Sequence, residues 1–287
     1  MNIWVAGARP RTLAVSAAPV VVGTCAAYQI ADTVIWWRAI AALIVALALQ
    51  VGVNYANDYS DGVRGTDSER RGPVRLTASG LASPEAVKRA AGISFLLAAC
   101  AGLVLSLVVN PWLLLVGVAA IAAGVLYTGG PRPYGYIGLG ELMVLIFFGF
   151  VATMGSTYVQ IEDVPVSALW GSFVVGLPTV AVLLANNIRD IPTDAVSGKK
   201  TLAVRIGPLA ARQLYSLCLA GSFVFVSLMC LDAPWVVLAF LSIPFVIRPL
   251  HLVLTRVDPP GLVAGLIGTV RFTIVISALT GLGLALS

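Results

Sequence analysis

Charge is what this chain lacks. Only 11% of its 287 residues are Asp, Glu, Lys or Arg, while 59% are hydrophobic; a soluble domain carries roughly 25% charged residues. Too many apolar runs reach bilayer-spanning length for a soluble protein, and no soluble domain of useful size fits between them. Histidine is almost missing: His251 is the one copy, near the end of an apolar run, and it is assigned no catalysis. The four cysteines (Cys25, Cys100, Cys218, Cys230) sit inside apolar runs without metal-ligand spacing and read as small packing residues. No GxxxxGK[ST], GxSxG, HExxH or CxxC occurs, which excludes a P-loop, a nucleophile elbow, a zinc-protease helix and a dithiol motif. The net charge of +5 does not imply nucleic acid, because basic residues in so apolar a chain mark cytoplasmic loops.

What remains is an all-α polytopic membrane protein. Nine spans are predicted, near 12–30, 37–57, 86–109, 112–128, 137–158, 167–187, 209–231, 234–254 and 262–286, with polar segments at 58–85 and 188–208. Turn signals at Asn110-Pro111, Gly129-Gly130-Pro131, Asp232-Ala233-Pro234 and Pro259-Pro260-Gly261 support the breaks. The first run follows Arg9 and Arg11, is long and lacks a clear cleavage site, so it reads as a retained helix. Sixteen of the 18 Lys and Arg fall on one side, with only Arg38 on the other and Arg271 inside the last span. The positive-inside rule makes the crowded side cytoplasmic, with the N-terminus there and the C-terminus opposite. Arg271 reads as a buried partner for a carboxylate.

Two acidic clusters close apolar runs on that side. The first, NYANDYSDGVRGTD, holds Asn54, Asn57, Asp58, Asp61 and Asp67; the second, NNIRDIPTD, holds Asn187, Asp190 and Asp194. Asn57, Asp58 and Asp61 share a frame with Asn186, Asn187 and Asp190, 129 residues apart. Each cluster ends the second helix of a four-helix set. The chain therefore reads as one domain of two repeats (about 12–128 and 137–254) plus an extra helix at 262–286, around a central cavity. Carboxylates are expensive near a bilayer and mark function there. Residues at i, i+3 and i+4 share a helix face, so each cluster aims oxygens at one point. Such oxygen ligands suit Mg²⁺, which takes one or two carboxylates and completes its shell with water and phosphate. Two facing clusters would hold metal ions with a diphosphate between them. Arg64, Arg75, Arg132, Arg189, Lys199 and Arg205 are candidates to neutralise that diphosphate, with Arg75 and Lys199 first. Positive-inside bias alone would supply most of these cations.

A third segment on the same side, YTGGPRPYGYIGLGELM, holds Tyr127, Tyr134 and Glu141. The tyrosines suit either the site or the membrane interface. Glu141 lies about a turn inside a span and is either a site residue or a packing partner.

These pieces resemble the UbiA superfamily of intramembrane prenyltransferases. NDYSD at Asn57–Asp61 and the later Asp190-x-x-x-Asp194 carry the likeness, which covers nearly the whole chain. ARPRTL at Ala8–Leu13, GPVRLTASGL at Gly72–Leu81 and NNIRDIPTDAVSGKKTLAVRIG at Asn186–Gly207 are similar to its 1,4-dihydroxy-2-naphthoate polyprenyltransferase branch. One position departs: where the superfamily often has a further Asp four residues after the second Asp of the first motif, this chain has Gly65, and Asp67 follows. The resemblance implies a helical bundle open laterally to lipid, Mg²⁺ dependence, and decarboxylative transfer of a polyprenyl chain from its diphosphate to 1,4-dihydroxy-2-naphthoate, giving demethylmenaquinone. It implies metal binding by Asn57, Asp58, Asp61, Asn187, Asp190 and Asp194. Another acceptor, such as 4-hydroxybenzoate, or a cation-coupled transporter with the carboxylates as its ion site, are the competing readings.

Overall fold

The computed structural model describes residues 2–65 and 75–287, without the side chain of Arg11. Asp67 and most of Gly72–Leu81's first half lie outside these residues. A short helix α1 (Ile3–Ala8) leads into α2 (Pro10–Ala31), then α3 (Trp36–Val63), α4 (Pro84–Val108) and α5 (Leu113–Leu126). A 3₁₀ turn, Tyr134–Ile137, precedes α6 (Gly140–Ile161), α7 (Val166–Val196), α8 (Leu202–Met229), α9 (Pro234–Thr255) and α10 (Pro259–Leu286). Among the described residues, eight helices are long and apolar enough to cross a membrane, and α5 is a ninth, shorter apolar helix. The nine expected spans correspond to α2–α10.

Several boundaries differ from expectation. α3 runs on to Val63 and α7 to Val196, so both acidic clusters are helical. Falling hydropathy marks where a helix leaves the apolar layer, while its hydrogen bonds continue until a residue stops them. α3 stops at Gly62 and Val63, with Gly65 at φ +71°. α7 continues through Pro192, which removes one backbone donor from the helix. α8 begins at Leu202, before the expected 209, and bends at Gly207 (φ 80°, ψ 165°) and Pro208. α6 holds a π-helical stretch, Leu145–Val151, and α9 opens as 3₁₀ helix, Pro234–Ser242. Arg271 is exposed on α10, not the buried ion-pair partner expected.

The main core gathers α2, α7, α8, α9 and α10 around residues such as Val22, Leu184, Tyr215 and Phe272. A smaller core joins α1, α3 and α4 through Tyr55, Leu76, Val87 and Ala91. Small residues set the helix spacing, as membrane bundles require. A Cβ on Gly23 of α2 would lie 2.2 Å from the Thr153 carbonyl oxygen of α6, and Thr157 donates to the Gly23 carbonyl at 2.8 Å. Between the two cores lies a cavity of about 1280 Å³, with wall residues from α2–α7 and α10.

Candidate active site

One end of this cavity is polar. On α3, Gln50, Asn54, Asn57 and Asp61 line it; spacings of four, three and four put them on one helix face. Asp58, about 100° round the helix from Asn57, does not line the cavity. It is 1% exposed, and its two carboxylate oxygens accept the backbone N–H groups of Leu76 (2.8 Å) and Thr77 (2.9 Å). Asp58 thus pins the returning chain and places Arg75 at the site.

Asp61 collects cations. Lys199 Nζ lies 2.9 Å from its Oδ2 and Arg75 Nη2 lies 3.9 Å away. The Tyr136 hydroxyl donates to Oδ1, and Lys199 also sits 4.8 Å above the Tyr136 ring. Lys199 arrives because α7 ends at Val196 and Gly198 takes φ +77°, a conformation glycine adopts without strain. The Lys199 N–H then closes on the Asp194 carbonyl at 2.9 Å, and the Lys200 N–H reaches the Tyr136 carbonyl at 2.9 Å. The turn after the second cluster therefore brings its lysine to the first.

On α7, Asn186, Asn187, Arg189 and Asp194 line the cavity. Asp190 is buried away from it; Arg189 donates to both its oxygens at 2.7 Å and to Asn186 Oδ1 at 2.8 Å. Asn187 Nδ2 donates to Glu141 Oε1 at 2.8 Å. A carboxylate oxygen accepts, so Glu141 turns the amide and leaves Asn187 Oδ1 for the cavity. Glu141 is itself 5% exposed and off the cavity wall. Asn57 Oδ1 accepts from Thr128 Oγ1 at 2.8 Å.

The other expected residues divide. Tyr127 and Tyr134 line the cavity, with ring centroids 5.4 Å apart. Burial pushes the Tyr134 phenol up to about 12, so it stays a neutral donor at any working pH. Arg64 is exposed, donates to the Gly130 carbonyl at 2.5 Å and lies 5.4 Å from the Tyr136 ring. Arg132 is exposed and outside the cavity wall. Tyr136, Arg9, Gln50 and Thr128 line the site without having been singled out. Tyr136 lies in the same Gly/Pro/Tyr segment as Tyr127 and Tyr134, so its signal was segment-wide. Arg9 stands at the bend between α1 and α2 with φ 55°, and Asn54 Nδ2 braces that bend through the Ala8 carbonyl at 2.9 Å.

The wall therefore presents Asp61 and Asp194 with the amides Asn57 and Asn187. No group of three or more His, Cys, Asp or Glu is poised to hold a metal among the described residues. A hard divalent cation that takes one or two carboxylates and leaves positions for phosphate fits that set.

Oxygen donors and buried cations at one end of an apolar cavity, inside membrane-length helices, suit an amphiphile with an anionic head. The comparisons agree. The chain matches the UbiA prenyltransferase family over residues 16–285 and belongs to it. It is 51% identical over 245 residues to the 1,4-dihydroxy-2-naphthoate octaprenyltransferase of Mycobacterium tuberculosis, covering 85% of this chain and 84% of that one. The protein of the same description from Escherichia coli is 36% identical, covering 99% and 95%. Among solved structures, a UbiA homolog from Archaeoglobus fulgidus bound to DMAPP and Mg²⁺ superposes with a TM-score of 0.67 at 16% identity, over 96% of this chain and 98% of that one. A UbiA homolog from Aeropyrum pernix K1 gives 0.72 at 15% identity, over 97% and 98%.

Proposed function

We propose that this protein transfers a polyprenyl chain from its diphosphate to 1,4-dihydroxy-2-naphthoate with loss of CO₂, in menaquinone biosynthesis. The observation that carries this reading is the meeting of Asp61, Lys199, Arg75 and Tyr136 at the polar end of an otherwise apolar cavity. The relatives from M. tuberculosis and E. coli bear the matching activity in their descriptions.

Lys199, Arg75 and Arg189 bind and orient the diphosphate by charge-assisted hydrogen bonds. Asp61 and Asp194, with Asn57 and Asn187, would hold Mg²⁺, which supplies stabilisation of the negative charge on the departing diphosphate. Asp58 and Asp190 work one layer back: Asp58 fixes the Arg75 segment and Asp190 fixes Arg189. The allylic C–O bond breaks and its electron pair leaves with the diphosphate. The apolar wall keeps water from the allylic cation. The ring carbon bearing the carboxylate then forms the new C–C bond, and loss of CO₂ restores aromaticity. The product of this step is the hydroquinone, demethylmenaquinol; its two-electron oxidation to the quinone belongs to a separate reaction with its own oxidant.

The same reading takes the chain as one domain of two four-helix repeats plus α10, with the acidic clusters at matching ends of α3 and α7. The charge distribution supports a cell-membrane protein with the site and N-terminus on the cytoplasmic side. Membranes supplied with dihydroxynaphthoate and a polyprenyl diphosphate should yield the decarboxylated prenyl product by mass analysis. A strong chelator, Asp61→Ala and Lys199→Ala should each abolish it. Undiminished product in Asp61→Ala would sink the assignment, and product from 4-hydroxybenzoate instead would redirect it to another acceptor.

A further inference from the structure

α9 and α10 carry an arrangement that the transfer reaction does not use. Arg248 and Arg271 are both exposed, yet both lie within membrane-length helices. Arg248 stands seven residues before the end of α9 at Thr255, and Arg271 twelve residues after the start of α10 at Pro259. At 1.5 Å per residue these are about 10 Å and about 18 Å from the helix ends nearer the site. Neither is paired with a carboxylate among the described residues. A bare arginine at such depth is costly, and those that persist mark a partner.

The packing register brings the two together. A Cβ on Gly268 would lie 2.9 Å from Pro249 Cβ, and one on Gly265 would lie 2.8 Å from Val253. The helices are thus antiparallel and close, with Pro249 level with Gly268. Arg248 adjoins Pro249 and Arg271 follows Gly268 by three residues, so they differ in depth by only about 3 Å. With 100° per residue, Arg271 emerges about 60° from the Pro249–Gly268 contact line and Arg248 about 100° from it, on the same flank of the pair. Two guanidinium groups side by side on a lipid-facing flank match one tetrahedral anion, since each offers a fork of N–H donors. Basic pockets between membrane helices take lipid head groups in this way.

We propose that Arg248 and Arg271 hold the phosphate of an anionic phospholipid on the outer face of the α9–α10 pair, outside the catalytic cavity. Neither residue lines that cavity. The lipid's tails would lie along the exposed Ile274 and Leu282 of α10 and Ile247 of α9.

The test compares the full chain with Arg248→Gln/Arg271→Gln in nanodiscs of phosphatidylcholine containing increasing phosphatidylglycerol. The unfolding temperature of the unaltered protein should rise with phosphatidylglycerol, and that of the double variant should not. Phosphatidylglycerol retained on the purified protein, weighed by native mass spectrometry, should fall about a hundredfold in the double variant, about tenfold for each of the two lost charge-assisted contacts. Arg248→Lys/Arg271→Lys, which keeps both charges, should retain most of the response. Inorganic phosphate at matched concentration should not reproduce the rise. An equal rise in the glutamine variant, equal lipid retention, or a full response to phosphate alone would each overturn the proposal. Should the glutamine variant fail to fold, equal retention of phosphatidylglycerol and phosphatidylcholine by the unaltered protein overturns it equally.

Discussion

Asp58 and Asp61 are three residues apart and do different work. Asp58→Ala strands the buried N–H groups of Leu76 and Thr77, at about 2–4 kcal/mol by the usual cost of unmade hydrogen bonds. Its effect should appear as a lower unfolding temperature in detergent and a raised KM for the prenyl diphosphate, because Arg75 loses its support. Asp61→Ala should remove turnover outright and also lower the unfolding temperature, because it leaves the buried Lys199 and Arg75 without their carboxylate. Turnover retained in Asp61→Ala, or lost in Asp58→Ala with no rise in KM, would contradict this division. Tyr136→Phe keeps the ring beneath Lys199 and deletes the hydrogen bond to Asp61; a roughly tenfold drop in kcat is expected for one lost charge-assisted bond. Glu141 acts through Asn187, so Glu141→Leu should weaken Mn²⁺ binding, read by electron paramagnetic resonance, and Glu141→Gln should restore it. In an Asn187→Ala background, Glu141→Leu should add little, since the orienting partner is already gone.

Helices were legible where composition alone decides them, and less so where a stop residue decides. All nine spans follow from apolar length. The ends of α3 and α7 do not, because a polar residue can leave the apolar layer while staying helical, as Asp61 and Asp194 do. The acidic clusters were equally legible as oxygen-rich helix ends. Which carboxylate faces the cavity was not: Asp58 and Asp61 differ only in helix phase and in the Leu76–Thr77 backbone that comes back to one of them. Tyr136 was hidden among three tyrosines because its role depends on where Lys199 lands, a contact across 63 residues that spacing does not encode. At this scale the Gly23 contact gives a direct test. Gly23→Val would press on the backbone of α6, and overpacking of this kind costs typically 1–3 kcal/mol. The variant should unfold at lower temperature, whereas Gly92→Val, where a Cβ meets nothing within 4 Å, should not.

At the scale of the molecule, the cavity joins a polar head site to a long apolar chamber, and the two can be altered separately. Gly155 lines the chamber and a Cβ there meets nothing within 4 Å. Gly155→Phe should therefore fold and fill part of the tail space. Rates with long polyprenyl diphosphates should fall relative to short ones, while the response to Mg²⁺ stays unchanged. Equal loss for every donor length would place Gly155 outside the path of the tail.

α5 adds a consequence for the surrounding bilayer. Its 14 residues span about 21 Å, against a hydrocarbon layer of about 30 Å, and residues from Leu113 to Gly124 form part of the cavity wall. A helix this short would draw the two leaflets toward each other beside this wall. A prenyl donor, whose head must stay near water while its tail stays in oil, meets there the shortest distance between the two. Thicker bilayers deepen the deformation and raise its energy, so turnover in vesicles should decline as the acyl chains of the host lipid lengthen.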